Sequence, residues 1–217
     1  MKLRNQFFLI AGILAAAAFP TEFARADEKV DSVAAPANER NHDESWYWGF
    51  NLGAGKISYQ DPVQAGVDAT NAVPGTDHAT VYFDFYFVGP LEDRKTAMGV
   101  SFGGIVDAFS NDARNTKRSM ATSIVAFSTH HYFNSNIGDG LFGRADIGLA
   151  SATDQIESAG VEVKTDPARG LGVRLGIGYS ILLSNETRLP LLMQWQHASI
   201  ENSSGSNALV FSAGLMF

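Results

Sequence analysis

Four charged residues, Asp84, Arg144, Asp146 and Arg174, share a parity with Tyr, Phe, Gly or Ser while the positions between them are apolar. On strands they face away from the apolar side, and opposite charges turned into one enclosed space pair with each other. They would either line a gated polar path or plug the space; a filled bore is the expectation for a small barrel. His130 and His131 are consecutive, so a strand sends them to opposite faces and one metal ion cannot take both. The carboxylates Asp61, Asp68, Asp77, Asp154, Glu157, Glu162 and Asp166 suit Ca²⁺ or Mg²⁺ by type, but no EF-hand or glycine-rich calcium spacing holds them, so solvated loop charge is expected and no metal. Arg114-Asn115-Thr116-Lys117-Arg118 offers charge-assisted hydrogen bonds to phosphate oxygens. His197 and Ser199 share the parity of Trp195, which would place both polar side chains on the apolar side. There is no cysteine, hence no thiolate, disulfide or Cys-ligated metal, and no Gly-x-Ser-x-Gly elbow or phosphate loop.

The elements that must carry these residues read as strands. Trp48, Phe50, Leu52 and Ala54 alternate with Tyr47, Gly49, Asn51 and Gly53; Val81, Phe83, Phe85 and Phe87 alternate with Thr80, Tyr82, Asp84 and Tyr86. The segments 97–109 (Met98, Val100, Phe102) and 120–133 (Val125, Phe127, Phe133) follow. Leu141, Ala145, Ile147 and Leu149 then oppose Phe142, Arg144, Asp146 and Gly148, and Leu171 to Ile181 oppose Gly172, Arg174, Gly176, Gly178 and Ser180. Leu189, Leu191, Met193 and Trp195 form the next apolar face, with Pro190 near its start, and Leu209, Phe211, Ala213, Leu215 and Phe217 form the last. Eight strands result, joined by longer connections at 60–78, 110–119, 153–169 and 201–206 and shorter ones at 89–95, 134–140 and 184–187. The predicted fold class is all-β, an eight-stranded antiparallel transmembrane β-barrel over 46–217, since lipid cannot satisfy an open sheet edge. Asp107, near a strand's outer end, is expected to be solvated at the rim.

The N-terminal stretch supports export. Lys2 and Arg4 precede an apolar run from Phe7 to Phe19, and Ala24-Arg25-Ala26 has the small-x-small form that a signal peptidase cuts after. Residues 1–26 are thus an expected cleaved signal peptide, and the polar stretch 27–45 a flexible periplasmic lead-in. Removing three basic residues and one acidic residue with the signal leaves 13 basic and 22 acidic, a net charge of −9. That balance makes nucleic acid an unsuitable partner.

These patterns, the final aromatic Phe217, and segments such as HHYFNSN, GRADIGLA and GLGVRLGIGYS resemble the small eight-stranded outer-membrane barrels of the OmpA, OmpX and OmpW type. The resemblance implies residence in the bacterial outer membrane and insertion by the barrel assembly machinery, with Phe217 as the recognition signal. It also implies contact with outer-membrane lipids and lipopolysaccharide, a monomeric state, no cofactor, and a non-enzymatic structural or surface-interaction role through extracellular loops. Lateral passage of small hydrophobic solutes is a further reading that the OmpW likeness allows. Locally, His197-Ala198-Ser199 resembles the lipid A deacylases of the PagL type. That likeness would make Ser199 a nucleophile and His197 its base, although Ile200 stands where that family has Asn and Asn207 where it has an acid.

Overall fold

The computed structural model describes residues 46–61, 63–133, 136–184, 186–201 and 205–217; the expected signal peptide and lead-in lie outside the described residues. In chain order the elements are β1 (Tyr47–Tyr59), α1 (Val63–Asn71), β2 (Asp77–Pro90), β3 (Thr96–Asn111), β4 (Thr116–Tyr132), β5 (Gly140–Ser158), β6 (Val161–Lys164), β7 (Ala168–Leu182), β8 (Arg188–Ile200) and β9 (Ser206–Met216). Eight of the strands form an antiparallel ring in which each pairs with its chain neighbour, β5 passes to β7, and β9 closes onto β1. Closure removes the edges that a bilayer would leave unsatisfied. Among the described residues the one further strand, β6, pairs with the outer end of β5 alone.

The parities follow the alternation of residue type. Phe85, Phe87, Val100, Phe102, Val125, Phe127, Ile147 and Leu171 point outward and are exposed, with Leu149 at 71% the extreme. In water such a surface would drive aggregation; against acyl chains it is matched. At the periplasmic end Trp46 stacks on Phe87 with ring centroids 4.8 Å apart and Trp48 on Phe217 at 4.5 Å, an aromatic girdle at the depth where amphipathic rings settle. Phe217 also exchanges backbone hydrogen bonds with Trp48 at 3.1 and 2.9 Å, so it extends the β9–β1 seam.

The strands run longer than the alternation indicated. β3 and β4 consume most of 110–119 and leave a short 3₁₀ turn at Asp112–Arg114, while β5 continues to Ser158 and turns at Ala159 and Gly160, both at positive φ, into β6. The reason is physical: beyond the bilayer the outer face of a hairpin meets water instead of acyl chains, so the hydrophobic alternation fades although the hydrogen-bond ladder continues. The connection 60–78, expected to be loop, contains α1.

The bore is filled in layers. Near the periplasmic end Tyr47, Tyr86, Tyr132, Phe142, Leu192 and Met216 pack together. The charged residues come next. Above them lie one apolar group around Ile124, Ala150 and Ile200 and another of Tyr82, Ile105 and Val210. The inward glycines of β7 are what make room: a Cβ on Gly178 would fall 2.6 Å from the Phe142 ring, and one on Gly172 2.6 Å from the Ile124 side chain. At the extracellular mouth Val67 of α1 packs with Phe109 and Met120, flanked by Tyr59 and Val63, and so caps the filled bore.

Candidate functional site

Mid-barrel, β2, β5 and β7 bring Asp84, Arg144, Asp146 and Arg174 to one level. Arg144 forks onto Asp84, with Nη1 to Oδ2 at 2.5 Å and Nη2 to Oδ1 at 3.0 Å, and donates its Nε to Asp146 at 3.1 Å. Arg174 donates from Nη1 to Asp84 at 2.9 Å and from Nη2 to the Ser101 hydroxyl at 2.6 Å; its Nε lies 2.8 Å from Asp146 Oδ2, close enough for an ion pair though not aligned as a hydrogen bond. Asn51 donates to Asp84 at 3.1 Å, and the Ser128 hydroxyl to Asp146 at 2.5 Å. All four charged side chains are at most 1% exposed. Two cations and two anions cancel, and the Arg174 Nη groups also donate to the neutral Ser101 and Tyr82 hydroxyls. Such a cluster is no stronger than an apolar plug of the same shape, but removing one member strands its partners without water.

The structure turns all four of these residues into the bore and sets who meets whom. His130 is buried, 3.1 Å from Ser128 Oγ and tilted against Tyr86, while His131 points outward, 3.0 Å from Thr96 Oγ1. Asp107 departs from expectation: it is 1% exposed, accepting from Thr80 at 2.7 Å and Tyr59 at 3.1 Å and contacting His78, whose ring stacks on Phe109. The β2–β3 register sets Thr80 against Asp107, and the turn of the mouth brings in Tyr59 and His78. No linear motif signals that cluster. Among the described residues, no group of three or more His, Asp or Glu is close enough to hold a metal ion.

The wall residues meet only in part. His197 and Asn207 are register partners on β8 and β9, with the imidazole Nδ1 2.9 Å from the Asn207 carbonyl oxygen and the ring stacked over Trp195 at 5.8 Å. Ser199 is exposed and forms no hydrogen bond to His197 among the described residues. Two strand positions of separation put their Cβ atoms roughly 6 to 7 Å apart, and nothing leans them together. The amide orients the ring but cannot stabilise an imidazolium as a carboxylate would.

At the extracellular rim, Arg118 turns inward. It grips Asp154 through Nε at 3.1 Å and Nη2 at 2.7 Å, and its Nη1 donates to Thr70 of α1 at 3.3 Å. Lys117 faces the other way, 3.8 Å from Glu157. The basic run therefore splits by parity.

No known protein family and no curated protein matches this chain in sequence. Solved structures do resemble it. Ail, the attachment invasion locus protein of Yersinia pestis, has 9% identity and a TM-score of 0.53 over 79% of this chain and 97% of that one. Neisserial surface protein A has 12% identity and a TM-score of 0.46, covering 79% and 95%. The N-terminal barrel domain of Pseudomonas aeruginosa OprF has 11% identity and a TM-score of 0.41, covering 80% and 98%. The likeness to Ail is one of fold. With the apolar exterior, the aromatic girdle and the closed ring, it defines an eight-stranded β-barrel protein of the bacterial outer membrane.

Proposed function

We propose that this protein is a non-enzymatic, non-conducting barrel that holds its extracellular end in place as a structural or interaction surface. The carrying observation is the fully buried Asp84–Arg144–Asp146–Arg174 network, which spans the bore between two apolar layers. Ion passage would require opening these pairs in a space without room for hydration. The rim is the surface left for recognition: α1, the β3–β4 turn and the β5–β6 hairpin extend past the apolar band. The partners that suit this placement are outer-membrane lipids and lipopolysaccharide, with the barrel assembly machinery during insertion, and the barrel works as a monomer. Homogeneous protein in planar bilayers is expected to give no stable open single-channel currents; large currents would overturn the reading.

One observation favours a second reading. The His197–Asn207 hydrogen bond holds an imidazole at the outer-leaflet level beside an exposed Ser199, the arrangement an acyl-ester hydrolase would start from. Incubation with lipid A and mass spectrometry decides between the two readings. No acyl loss is expected; loss abolished by Ser199→Ala in a folded barrel would establish the hydrolase.

A further inference from the structure

A cavity of about 280 Å³ opens at the extracellular mouth between the C-terminal end of α1 and the tips of β3 and β4. Val73, the hydroxyl-bearing Thr70, Thr76 and Thr116, and the cations Arg114 and Arg118 line it, with Phe109 and Asn111 almost wholly buried behind them. Among the described residues, no carboxylate lines it. The volume is just under the roughly 300 Å³ at which small-molecule sites begin, which suits one sugar-sized ring.

The turn that presents Arg114 is braced. The Asn111 carbonyl oxygen accepts the Arg114 backbone N–H at 3.1 Å, its amide nitrogen donates to Pro74 O at 3.0 Å and to Thr76 Oγ1 at 3.2 Å, and Asn115 closes the turn in the left-handed conformation at φ 47°. Asn111 is itself buried. It thereby ties the β3–β4 turn to the segment after α1 and fixes the cavity's shape without a ligand. Asp154 neutralises Arg118, but the Arg114 guanidinium has no partner among the described residues. The site therefore holds one uncompensated cation, a second guanidinium whose Nη1 makes only a long hydrogen bond, several hydroxyls and the apolar Val73.

We propose that this cavity binds a phosphorylated sugar. Arg114 and Nη1 of Arg118 take the phosphate, whose three terminal oxygens and charge near −2 can accept from both. The threonine hydroxyls meet the ring hydroxyls, and Val73 lies against the ring's C–H face. This rests on the reading of the extracellular end as the working surface, and names its ligand chemistry. Two sources carry that chemistry: the phosphorylated sugars of lipopolysaccharide in the same membrane, and a soluble sugar phosphate from outside.

The test titrates glucose 6-phosphate into the folded full chain by calorimetry, first in detergent micelles and then in lipopolysaccharide-containing vesicles. Saturable binding in micelles is expected, weakened about 10-fold or more by Arg114→Ala, an exposed position whose loss leaves the fold intact. Inorganic phosphate and glucose alone are expected to bind at least about 10-fold more weakly than glucose 6-phosphate. In vesicles, a 10-fold loss of apparent affinity identifies lipopolysaccharide as the resident ligand by competition; an unchanged affinity identifies an external one. Absence of binding in micelles, binding within twofold of wild type in Arg114→Ala, or inorganic phosphate binding as tightly as the sugar phosphate would each overturn the proposal. The same sample in planar bilayers separates the two ideas, because silent bilayers without binding sink only the ligand and open channels sink the closed barrel.

Discussion

The lumen and the outer wall both carry polar side chains on the same strands, and they satisfy them by different means. In the lumen Asp84, Arg144, Asp146 and Arg174 all meet opposite charges at 2.5 to 2.9 Å, with Asn51 and Ser128 donating to the carboxylates and the Ser101 hydroxyl accepting from Arg174. On the wall His197 has one neutral partner and Ser199 has none of that kind. The lumen level is sealed above and below by apolar layers, so each charge must be met by protein. The wall pair sits at the outer end of β8, where headgroups and water supply what the protein omits. Parity on a strand decides which side a residue takes, while depth along the strand decides whether its charge has to be answered.

This contrast is broken most severely in the lumen. Arg144→Ala leaves Asp84 and Asp146 facing each other with one cation between them, and is expected to cost about 3 to 5 kcal/mol. Denaturant unfolding in micelles, or the temperature at which the SDS-resistant band shifts, measures it; a loss below about 1 kcal/mol would mean that water reaches the network. At the rim, where the Arg118 and Asp154 side chains are 14% and 25% exposed, Arg118→Ala is expected to cost about 1 kcal/mol and to loosen α1, which it holds through Thr70. Proteolysis within 60–76 reads the loosening directly. On the wall, Ser199→Ala is expected to change stability by no more than about 0.5 kcal/mol. A larger loss would show that the hydroxyl is held after all.

The smallest expected effect lies in the periplasmic β2–β3 turn. The Thr96 hydroxyl and backbone N–H, with the Lys95 N–H, donate to the Asp93 carboxylate and hold its pKa below the usual aspartate value. Because the folded value is the lower one, the turn's stabilisation is complete above the ordinary aspartate pKa and is lost as the pH falls through the depressed value. Asp93→Asn removes that acid-side dependence. Comparing the thermal midpoints of the two proteins from neutral to strongly acid pH checks it, and identical acid limbs would show that the turn contributes nothing.

Legibility varied with depth in the membrane. Within the apolar band the chain is readable at single residues: Phe85 and Phe87 face out and Tyr82, Asp84 and Tyr86 face in, because lipid on one side and a packed bore on the other impose a two-residue period. Outside it the same reading stopped too early at 110–119 and 153–169, which are largely strand. It passed over α1, whose nine residues bury only Val67, and took Asp107 for a solvated charge. For the candidate sites, the alternation supplied the lumen residues and the lipid-facing side of His197 and Ser199. It was silent about Arg114, Asn111 and the cavity they frame.

The order of residues along this chain determined the strands, the faces and the all-β barrel class, because each is a local consequence of alternation repeated under a uniform solvent constraint. Only the tertiary structure decided that Arg144 meets Asp84 across 60 residues and Arg174 meets it across 90, that His197 is answered by Asn207 and not Ser199, and that α1 closes the mouth. Those outcomes depend on ring closure, strand register and the height at which side chains from opposite walls coincide, quantities set by the whole barrel at once and by no single segment.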